Sequence, residues 1–331
     1  MSESSGSSES SGSSKSSGSS ESGVWAPHVV TPDTAGVPAT HAGLLEAIGD
    51  TAKTGELLLA NKALVFRGFG TSKEQVDSAL DLLLPNRLAY VHGNSPRTKV
   101  GSNVYTSTEY PAEFTISMHN ELSYARRWPS RLAFYCERQP ATGGATPVVD
   151  GTLWLSSLDE EVRAAFGQGI RYTQNLHSGS GFGRSWQDTF ETSDKSEVEA
   201  HLADADVTWE WKADDGIRLT QLRPATVRHP VTGEEVWFNQ FDQWHLAGLD
   251  AETAEMLTEL LPEDELPQSV TFADGTPIPA EYVAHVRDNG LKAAVDVDWY
   301  DGDLLLIDNV AVAHGRRPYT GPRRVLVAMS G

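Results

Sequence analysis

The stretch Gly302-Asp303-Leu304-Leu305-Leu306-Ile307-Asp308-Asn309 has the pattern of a turn, an apolar strand and a second turn. Other short, β-rich segments with turn residues at their ends lie at residues 62–68, 131–136, 235–239 and 324–329. Helical patterns lie at residues 44–59, 73–84, 158–166 and 251–261. Short strands with helical insertions predict a mainly β protein with helices (α+β), a β-sandwich or jelly roll with helices packed on one sheet.

Composition argues against several classes of protein. The 331 residues include 46 acidic and 26 basic ones, a formal net charge of -20, whereas nucleic-acid binding needs a basic surface. No run of about 18 apolar residues occurs, so a membrane-spanning helix is not expected. Cys136 is the only cysteine, which excludes an intrachain disulfide and predicts a reducing, cytoplasmic location.

Residues 1–23 repeat a six-residue unit, Glu-Ser-Ser-Gly-Ser-Ser, with Lys15 once in place of the acid. Such a tract has no apolar side chains to bury, so we expect a disordered tail. The composition becomes globular from Val24 onward. Residues 24–331 are therefore expected to form the functional domain.

A His-x-Glu pair, His119 and Glu121, lies in the segment Ile116-Ser117-Met118-His119-Asn120-Glu121-Leu122-Ser123-Tyr124. On a strand, residues i and i+2 point to the same face, so this imidazole and carboxylate are expected to bind one ion. His314, which follows the apolar strand at a short distance, is the predicted third ligand. Two histidines and a carboxylate are the ligand set of non-haem Fe(II) oxygenases, whereas a structural zinc site is expected to have a fourth ligand or cysteines.

Several further motifs accompany these ligands. They are Tyr105-Thr106-Ser107-Thr108-Glu109-Tyr110-Pro111, Trp128-Pro129, Phe134-Tyr135-Cys136, Gly143-Gly144-Ala145-Thr146-Pro147, Asp308-Asn309, His314-Gly315-Arg316 and Gly321-Pro322-Arg323-Arg324. Together they resemble the taurine dioxygenase family of Fe(II)- and 2-oxoglutarate-dependent oxygenases, in particular the branch of clavaminate synthase and the syringomycin-type amino-acid hydroxylases. The resemblance spans about residues 64–329. It implies a double-stranded β-helix (jelly-roll) fold that uses Fe(II), 2-oxoglutarate and O2.

The resemblance also assigns residues that bind the cosubstrate. Thr146, in the Gly-Gly-x-Thr-Pro motif, matches the position whose hydroxyl donates to the distal carboxylate of 2-oxoglutarate. Arg324 matches the arginine that clamps this carboxylate, a task for which the planar guanidinium is suited. Strand alternation then directs Arg323 away from the pocket.

Two departures from the family pattern bear on the reaction. Taurine dioxygenase has a second arginine four residues beyond the clamp, where it binds the sulfonate; Ala328 occupies this position here. A sulfonate substrate is therefore not expected. Glu121 is the metal carboxylate, as in the clavaminate-like branch, whereas related halogenases lack this carboxylate to make room for halide. Its presence favours oxygen transfer over halogenation.

Four further residues are candidates for contacts with the substrate. Asn120 and Tyr124 flank the predicted ligands, and Asn239 lies at the polar end of a predicted strand, where the branch has a similar Phe-Asn. Arg97 is a candidate for binding a substrate carboxylate. The competing interpretations are packing for Asn120 and Tyr124, a capped strand end for Asn239 and an exposed surface position for Arg97.

The function that these observations predict is that of a 2-oxoglutarate-dependent dioxygenase in secondary metabolism. It would hydroxylate an unactivated C–H bond of an amino acid, either free or tethered to a carrier protein. Desaturation, epoxidation and cyclisation use the same iron chemistry and stay open. A peptide- or protein-modifying oxygenase, a non-catalytic metal-binding jelly roll and a zinc hydrolase are also compatible with parts of the pattern.

Overall fold

The computed structural model of the chain describes Met1 and residues 25–89, 98–107 and 110–331. Its strands are β1 (His28–Val30), β2 (Ala63–Phe66), β3 (Lys99–Gly101), β4 (Val104–Thr106), β5 (Ile116–His119), β6 (Arg131–Arg138), β7 (Thr142–Gly143), β8 (Thr146–Asp150), β9 (Ile170–Leu176), β10 (Thr208–Trp211), β11 (Ile217–Arg223), β12 (Thr226–Arg228), β13 (Glu235–Trp237), β14 (Gln268–Phe272), β15 (Val295–Val297), β16 (Leu304–Asp308), β17 (Val312–Arg316), β18 (Tyr319–Thr320) and β19 (Arg324–Ser330).

The helices lie mostly before β3 and between β8 and β15. They are α1 (Pro32–Ala35), α2 (His41–Ile48), α3 (Thr51–Asn61), α4 (Val76–Leu83), α5 (Gly151–Ser157), α6 (Glu160–Ala165), α7 (Trp186–Phe190), α8 (Lys195–Asp204), α9 (Ala251–Leu260) and α10 (Ala280–Ala293). Short 3-10 turns lie at Phe241–Trp244, Leu246–Gly248 and Glu263–Glu265. In the described parts of the chain, none of the helices has the length and apolar character that crossing a bilayer requires.

Two sheets face each other and form the jelly roll. The larger has the strand order β1-β2-β16-β6-β19-β4-β3, and the smaller has the order β15-β8-β17-β5. Apolar side chains from both sheets meet between them, among them Phe134 and Val327 from the larger sheet and Val148 and Val312 from the smaller. The predicted α+β jelly-roll fold is confirmed.

Helices α2 to α4 cover the outer face of the larger sheet. Leu44, Leu58 and Leu80 pack there against Leu306 of β16 and Leu326 of β19. Because this sheet is covered on both faces, its central strands are apolar at nearly every position instead of alternating with polar residues.

The predicted helix at residues 44–59 is two helices in the structure, α2 and α3. The break falls at Gly49 and Asp50, and the side chain of Asp50 accepts hydrogen bonds from the amides of Ala52 and Lys53 at 3.0 and 3.2 Å. An aspartate at this position satisfies amides that would otherwise lack partners, and so starts a new helix. The other predicted helices and strands are present within three residues of their predicted ends.

Residues 151–294 form an insertion between β8 and β15. It contains α5 to α10 and a third sheet of order β10-β11-β9-β14. Trp154 of α5 and Val283 and Val286 of α10 pack in one cluster with Val149 and Ala313 of the smaller sheet. The insertion therefore covers the outer face of the sheet that carries β5 and β17.

Candidate metal centre and cosubstrate pocket

His119, Glu121 and His314 come together in the structure. One ligand atom from each lies within 4.8 Å of the others, and all three side chains are buried. The Nε2 atom of His314 lies 4.0 Å from Oε2 of Glu121, and the two imidazole centroids are 4.4 Å apart. In the described part of the chain this is the one cluster of histidine, cysteine or acidic side chains with the spacing of a metal site.

The three predicted ligands lie on β5, on β17 and in the turn that follows β5. His119 is the last residue of β5 and pairs directly with His314 of β17. Glu121 lies beyond the end of β5, in a turn in which Leu122 has the left-handed φ of 55°. The expectation that strand alternation places His119 and Glu121 on one face is therefore wrong. It is the turn that directs the carboxylate of Glu121 towards the two imidazoles.

The donor atoms fit Fe(II). Two imidazoles and one carboxylate suit iron, and a closed tetrahedral zinc site has four ligands. The Nδ1 atom of His119 lies 2.9 Å from the carbonyl oxygen of Ser117, a contact that holds a proton on Nδ1 and leaves Nε2 as the nitrogen able to bind a metal ion. Gln243 donates to the same carbonyl oxygen at 3.3 Å.

A cavity of about 30 Å³ adjoins the two histidines. Thr146, Arg316 and Arg323 are among its polar lining residues, and Phe134, Val325 and Val327 are among its apolar ones. Thr146 is buried, and its hydroxyl oxygen accepts a hydrogen bond from Trp299 Nε1 at 3.0 Å. Its own hydroxyl proton is therefore oriented away from Trp299 and is available to an acceptor in the cavity.

The structure places Arg323, and not Arg324, at this cavity. Arg324 is exposed, and its Nε atom lies 2.9 Å from Oε2 of Glu137. Val325 and Val327 face the space between the two sheets, and Arg323 lines the same cavity as these two valines. The expected orientations of the two arginines are thus reversed. The position four residues beyond Arg323 is Val327, which is as apolar as the Ala328 considered from the sequence.

Arg323 is a partly buried cation without a carboxylate partner in the described part of the chain. Burial lowers its pKa to about 10, and the nearby positive charge of Arg316 acts in the same direction. Its Nε atom donates to the carbonyl oxygen of Gly144 at 3.0 Å. Since the guanidinium stays protonated at neutral pH, an anion bound here would offset the cost of taking it out of water.

A larger cavity of about 570 Å³ continues outward from the first. Arg138, Arg316, Arg323 and Arg324 line it together with Tyr110 and Tyr319. Arg316 is held by the loop beside it, because its guanidinium donates to the carbonyl oxygens of Tyr110 at 2.7 Å and Phe114 at 2.8 Å. In a chain with a net charge of -20, four arginines around one cavity form a local site for anions.

Three of the residues expected to contact the substrate, Asn120, Tyr124 and Asn239, do not line the two cavities beside the histidines. Asn120 donates to the carbonyl oxygen of Asn309 at 2.7 Å, and Asn239 donates to that of Ala225 at 2.9 Å. Tyr124 packs on Trp244 and lines a separate cavity of about 200 Å³ between residues 122–127 and the insertion. Arg97 lies outside the described residues.

Sequence patterns do not identify two residues of the site. Arg323 belongs to the Gly-Pro-Arg-Arg motif, but strand alternation predicts a surface position for it. Asn309 belongs to the Asp308-Asn309 pair, which by itself indicates only a turn. It is fully buried, and its carboxamide contacts the backbone of Glu121. An asparagine directly after an apolar strand, in a motif shared with the family, is the signal in the sequence that could have identified it.

Comparison with known proteins agrees with this arrangement. The family described as "Taurine catabolism dioxygenase TauD, TfdA family" matches residues 27–329. The chain is 40% identical over 276 residues to the dapdiamide synthesis protein DdaC of Enterobacter agglomerans, covering 83% of each protein. It is 32% identical over 318 residues to the clavaminate synthase-like protein At3g21360 of Arabidopsis thaliana, covering 92% of this chain and 93% of that one.

Solved structures with a similar fold include PvcB of Pseudomonas aeruginosa. The TM-score is 0.52 at 14% identity, over 91% of this chain and 84% of PvcB. A second structure of PvcB, described as an Fe, alpha-ketoglutarate dependent oxygenase from an isonitrile synthetic pathway, matches with a TM-score of 0.50 at 15% identity, over 92% of this chain and 86% of that one. At this level of identity the similarity concerns the fold.

Proposed function

Because the chain belongs to the TauD, TfdA family of dioxygenases, we propose that it hydroxylates an amino-acid-like metabolite in a biosynthetic pathway. It is a 2-oxoglutarate-dependent non-haem iron dioxygenase, which uses Fe(II), 2-oxoglutarate and O2. Bound iron and cosubstrate supply the oxidising power: 2-oxoglutarate is converted to succinate and CO2, and one oxygen atom of O2 is transferred to the substrate. The observation that carries the assignment is that His119 and His314 line the same cavity as Thr146 and Arg323.

His119, Glu121 and His314 would hold the iron. Each supplies one donor atom, and a two-histidine, one-carboxylate set leaves positions on iron for cosubstrate and O2. The side chains are buried, so water has limited access to the metal, which protects a reactive oxidant from side reactions.

Arg323 and Thr146 would hold the distal carboxylate of 2-oxoglutarate. The guanidinium of Arg323 is partly buried and positively charged, and the hydroxyl proton of Thr146 is directed away from Trp299. A charge-assisted pair with the arginine and a hydrogen bond from the threonine would orient the cosubstrate so that its keto acid end reaches the metal. Arg324, with its exposed contact to Glu137, takes no part in this binding.

The outer cavity suits a substrate that carries a carboxylate. Arg138 and Arg324 lie on its wall in addition to the arginine assigned to 2-oxoglutarate. An amino-acid-like substrate fits this chemistry, and the similarity to a dapdiamide synthesis protein supports a role in antibiotic biosynthesis. Because the side chains of His119, Glu121 and His314 are buried, we favour a small molecule, free or carried on a short tether, over a folded protein.

Hydroxylation is the reaction that we propose for this site. Desaturation, epoxidation or cyclisation would use the same residues, and only the product distinguishes them from hydroxylation. We propose a cytoplasmic location, because Cys136 is the only cysteine in the sequence and cannot form an intrachain disulfide. The tail expected at residues 1–23 lies, Met1 apart, outside the described residues, and residues 24–331 are proposed as the catalytic domain.

Measuring succinate formation tests the function. The purified protein would be given Fe(II), 2-oxoglutarate and air, and a panel of free amino acids, amino acids tethered to phosphopantetheine, and short peptides. We expect one class to stimulate succinate release and to gain the mass of one oxygen atom. Stimulation by peptides alone would favour a peptide-modifying oxygenase. Activity with Zn(II) and without 2-oxoglutarate would replace the oxygenase by a hydrolase.

A further inference from the structure

The carboxamide of Asn309 contacts both backbone groups of Glu121. The amide of Glu121 donates to Oδ1 of Asn309 at 2.8 Å, and Nδ2 of Asn309 donates to the carbonyl oxygen of Glu121 at 3.1 Å. The same Nδ2 donates to the carbonyl oxygen of Pro129 at 2.8 Å. Asn309 is fully buried, so these bonds form where water cannot replace them.

These bonds take the place of strand pairing. Glu121 lies in the turn after β5, where the pairing of β5 with β17 has ended at His119 and His314. The neighbouring residue Asn120 is tied in the same way, because its side chain donates to the carbonyl oxygen of Asn309 at 2.7 Å. Without these contacts the peptide of Glu121 would have the freedom of an ordinary loop.

Asn309 also lies in the short segment that leads into the strand carrying the third ligand. It follows β16 and precedes β17, the strand that carries His314. Its own amide donates to the carbonyl oxygen of Ser130 at 2.9 Å. One side chain thus connects the turn of Glu121 to the segment that leads into His314.

We propose that Asn309 is a positioning residue that fixes the Glu121 carboxylate relative to the two imidazoles. This inference rests on the proposed iron site. It predicts that Asn309 determines how tightly Fe(II) is held and how completely the oxidation of 2-oxoglutarate is coupled to oxidation of the substrate. Contacts of this kind behind a metal ligand typically change metal affinity or activity by roughly 10- to 100-fold.

An aspartate cannot replace Asn309. The substitution Asn309→Asp keeps the size and one acceptor oxygen, but it replaces the Nδ2 donor by an oxygen that faces the carbonyl oxygens of Glu121 and Pro129. The turn should therefore shift away, and the Glu121 carboxylate should shift with it. The substitution Asn309→Ser leaves a small hydroxyl and is the milder variant.

Asn175 supplies a matched control. It is also buried, and its Nδ2 donates to the carbonyl oxygens of Asp264 at 3.0 Å and Leu266 at 2.7 Å. It lies on β9 in the insertion, and its side-chain hydrogen bonds join Asp264, Leu266 and Arg218, not the metal ligands or their turn. Asn175→Asp thus loses the same number of side-chain donors to backbone carbonyls without touching the turn of Glu121.

The experiment measures the Fe(II) dissociation constant of the metal-free full chain under anaerobic conditions, with the melting temperature of each variant beside it. We expect Asn309→Asp and Asn309→Ser to weaken Fe(II) binding by at least about 10-fold. Asn175→Asp should leave the constant within about twofold of wild type, whatever its melting temperature, because Arg218 Nε already donates to Oδ1 of Asn175 at 3.2 Å and would pair with the aspartate.

Two results would overturn the inference: tight Fe(II) binding in both Asn309 variants, or equal weakening in Asn175→Asp. Either of them leaves the oxygenase assignment intact, because that assignment depends on Fe(II) and 2-oxoglutarate binding to the wild type. If Asn309→Asp does not fold, Asn309→Ser decides the question.

Discussion

His119 and His314 are direct partners in the antiparallel pairing of β5 with β17, and their imidazole centroids lie 4.4 Å apart. Each strand supplies one of the two histidines of the iron site. The distance between the two imidazoles is set by how closely the strands approach each other. Gly315, next to His314, lies where this pairing changes register before Arg316.

The substitution Gly315→Ala should separate the two strands. A Cβ atom at this position would lie 2.6 Å from the carbonyl oxygen of Ile116 and 3.2 Å from Sδ of Met118. Overpacking of this kind typically costs about 1–3 kcal/mol of stability. We expect a lower melting temperature and weaker Fe(II) binding, measured by thermal unfolding and by anaerobic titration.

The control for this variant is Gly55→Ala, in helix α3. The added Cβ would meet only Nη2 of Arg131 at 3.5 Å, and alanine favours a helix more than glycine does. Stability should be unchanged or raised, and Fe(II) binding should match wild type. Normal Fe(II) binding by Gly315→Ala would mean that the strand separation does not set the site.

Arg323→Gln should raise the concentration of 2-oxoglutarate needed for half-maximal activity by roughly 10- to 100-fold, because a hydrogen bond to a charged group is worth about 1.5–3 kcal/mol. Arg324→Gln removes a pair with Glu137 and a wall residue of the outer cavity, but no residue of the cosubstrate cavity, so it should change this concentration by less than about threefold. Steady-state kinetics with 2-oxoglutarate as the varied component separates the two. The reverse order of effects would restore the assignment of Arg324 as the clamp.

The sequence alone does not predict which of Arg323 and Arg324 points into the pocket. β19 is apolar on both faces, because Val325 and Val327 face the other sheet while Leu326 and Ala328 face the covering helices. The alternation of side chains along β19 therefore does not indicate which face of the strand lines the pocket. A resemblance between motifs identifies the pair Arg323-Arg324, but only the packing of the strand identifies the inward residue.

The ligands and the fold are easier to predict. His119 and His314 belong to strands, whose period is regular, and each stands in a motif of the family. The sequence groups Glu121 with them correctly, but for a reason that the structure contradicts, since Glu121 lies in a turn. Turn geometry depends on contacts with residues such as Asn309 that are far away in the sequence.

Thr146→Val should weaken 2-oxoglutarate binding by roughly 10-fold, since one hydrogen bond to a charged carboxylate is removed. It should also lower stability, because Nε1 of Trp299 donates to the threonine hydroxyl at 3.0 Å and would lose its acceptor inside the protein. Isothermal titration of the Fe(II)-loaded protein under anaerobic conditions measures the first effect. Thr146→Ser, which keeps the hydroxyl, should bind almost as wild type; equal binding by Thr146→Val would remove Thr146 from the site.

Asp242 should make stability depend on pH. Burial raises its pKa to about 6, opposed in part by a hydrogen bond with Ser117 and the charge of Arg287. Because the folded pKa lies above the unfolded value, its contribution is most favourable below the unfolded pKa and is lost as pH rises through about 6.

The variant Asp242→Asn cannot ionise, so its stability relative to wild type should increase between pH 4 and pH 8, by about 3 kcal/mol at most. Urea unfolding of the metal-free proteins at the two pH values measures this. Asp274→Asn, at a surface turn where backbone and side-chain hydrogen bonds from Thr276 lower the pKa, should show no such gain. A constant difference between wild type and Asp242→Asn would mean that Asp242 stays ionised, or stays protonated, across this range.

The most direct test of the iron site is the visible charge-transfer band that forms when Fe(II) and 2-oxoglutarate are added together to the metal-free protein without oxygen. We expect the band in wild type, its loss in His119→Ala, and its appearance in Arg323→Gln only at higher 2-oxoglutarate concentrations. Wild type without the band, or His119→Ala with the band at full strength, would contradict the assignment of His119, Glu121 and His314 as the ligands of an iron that binds 2-oxoglutarate.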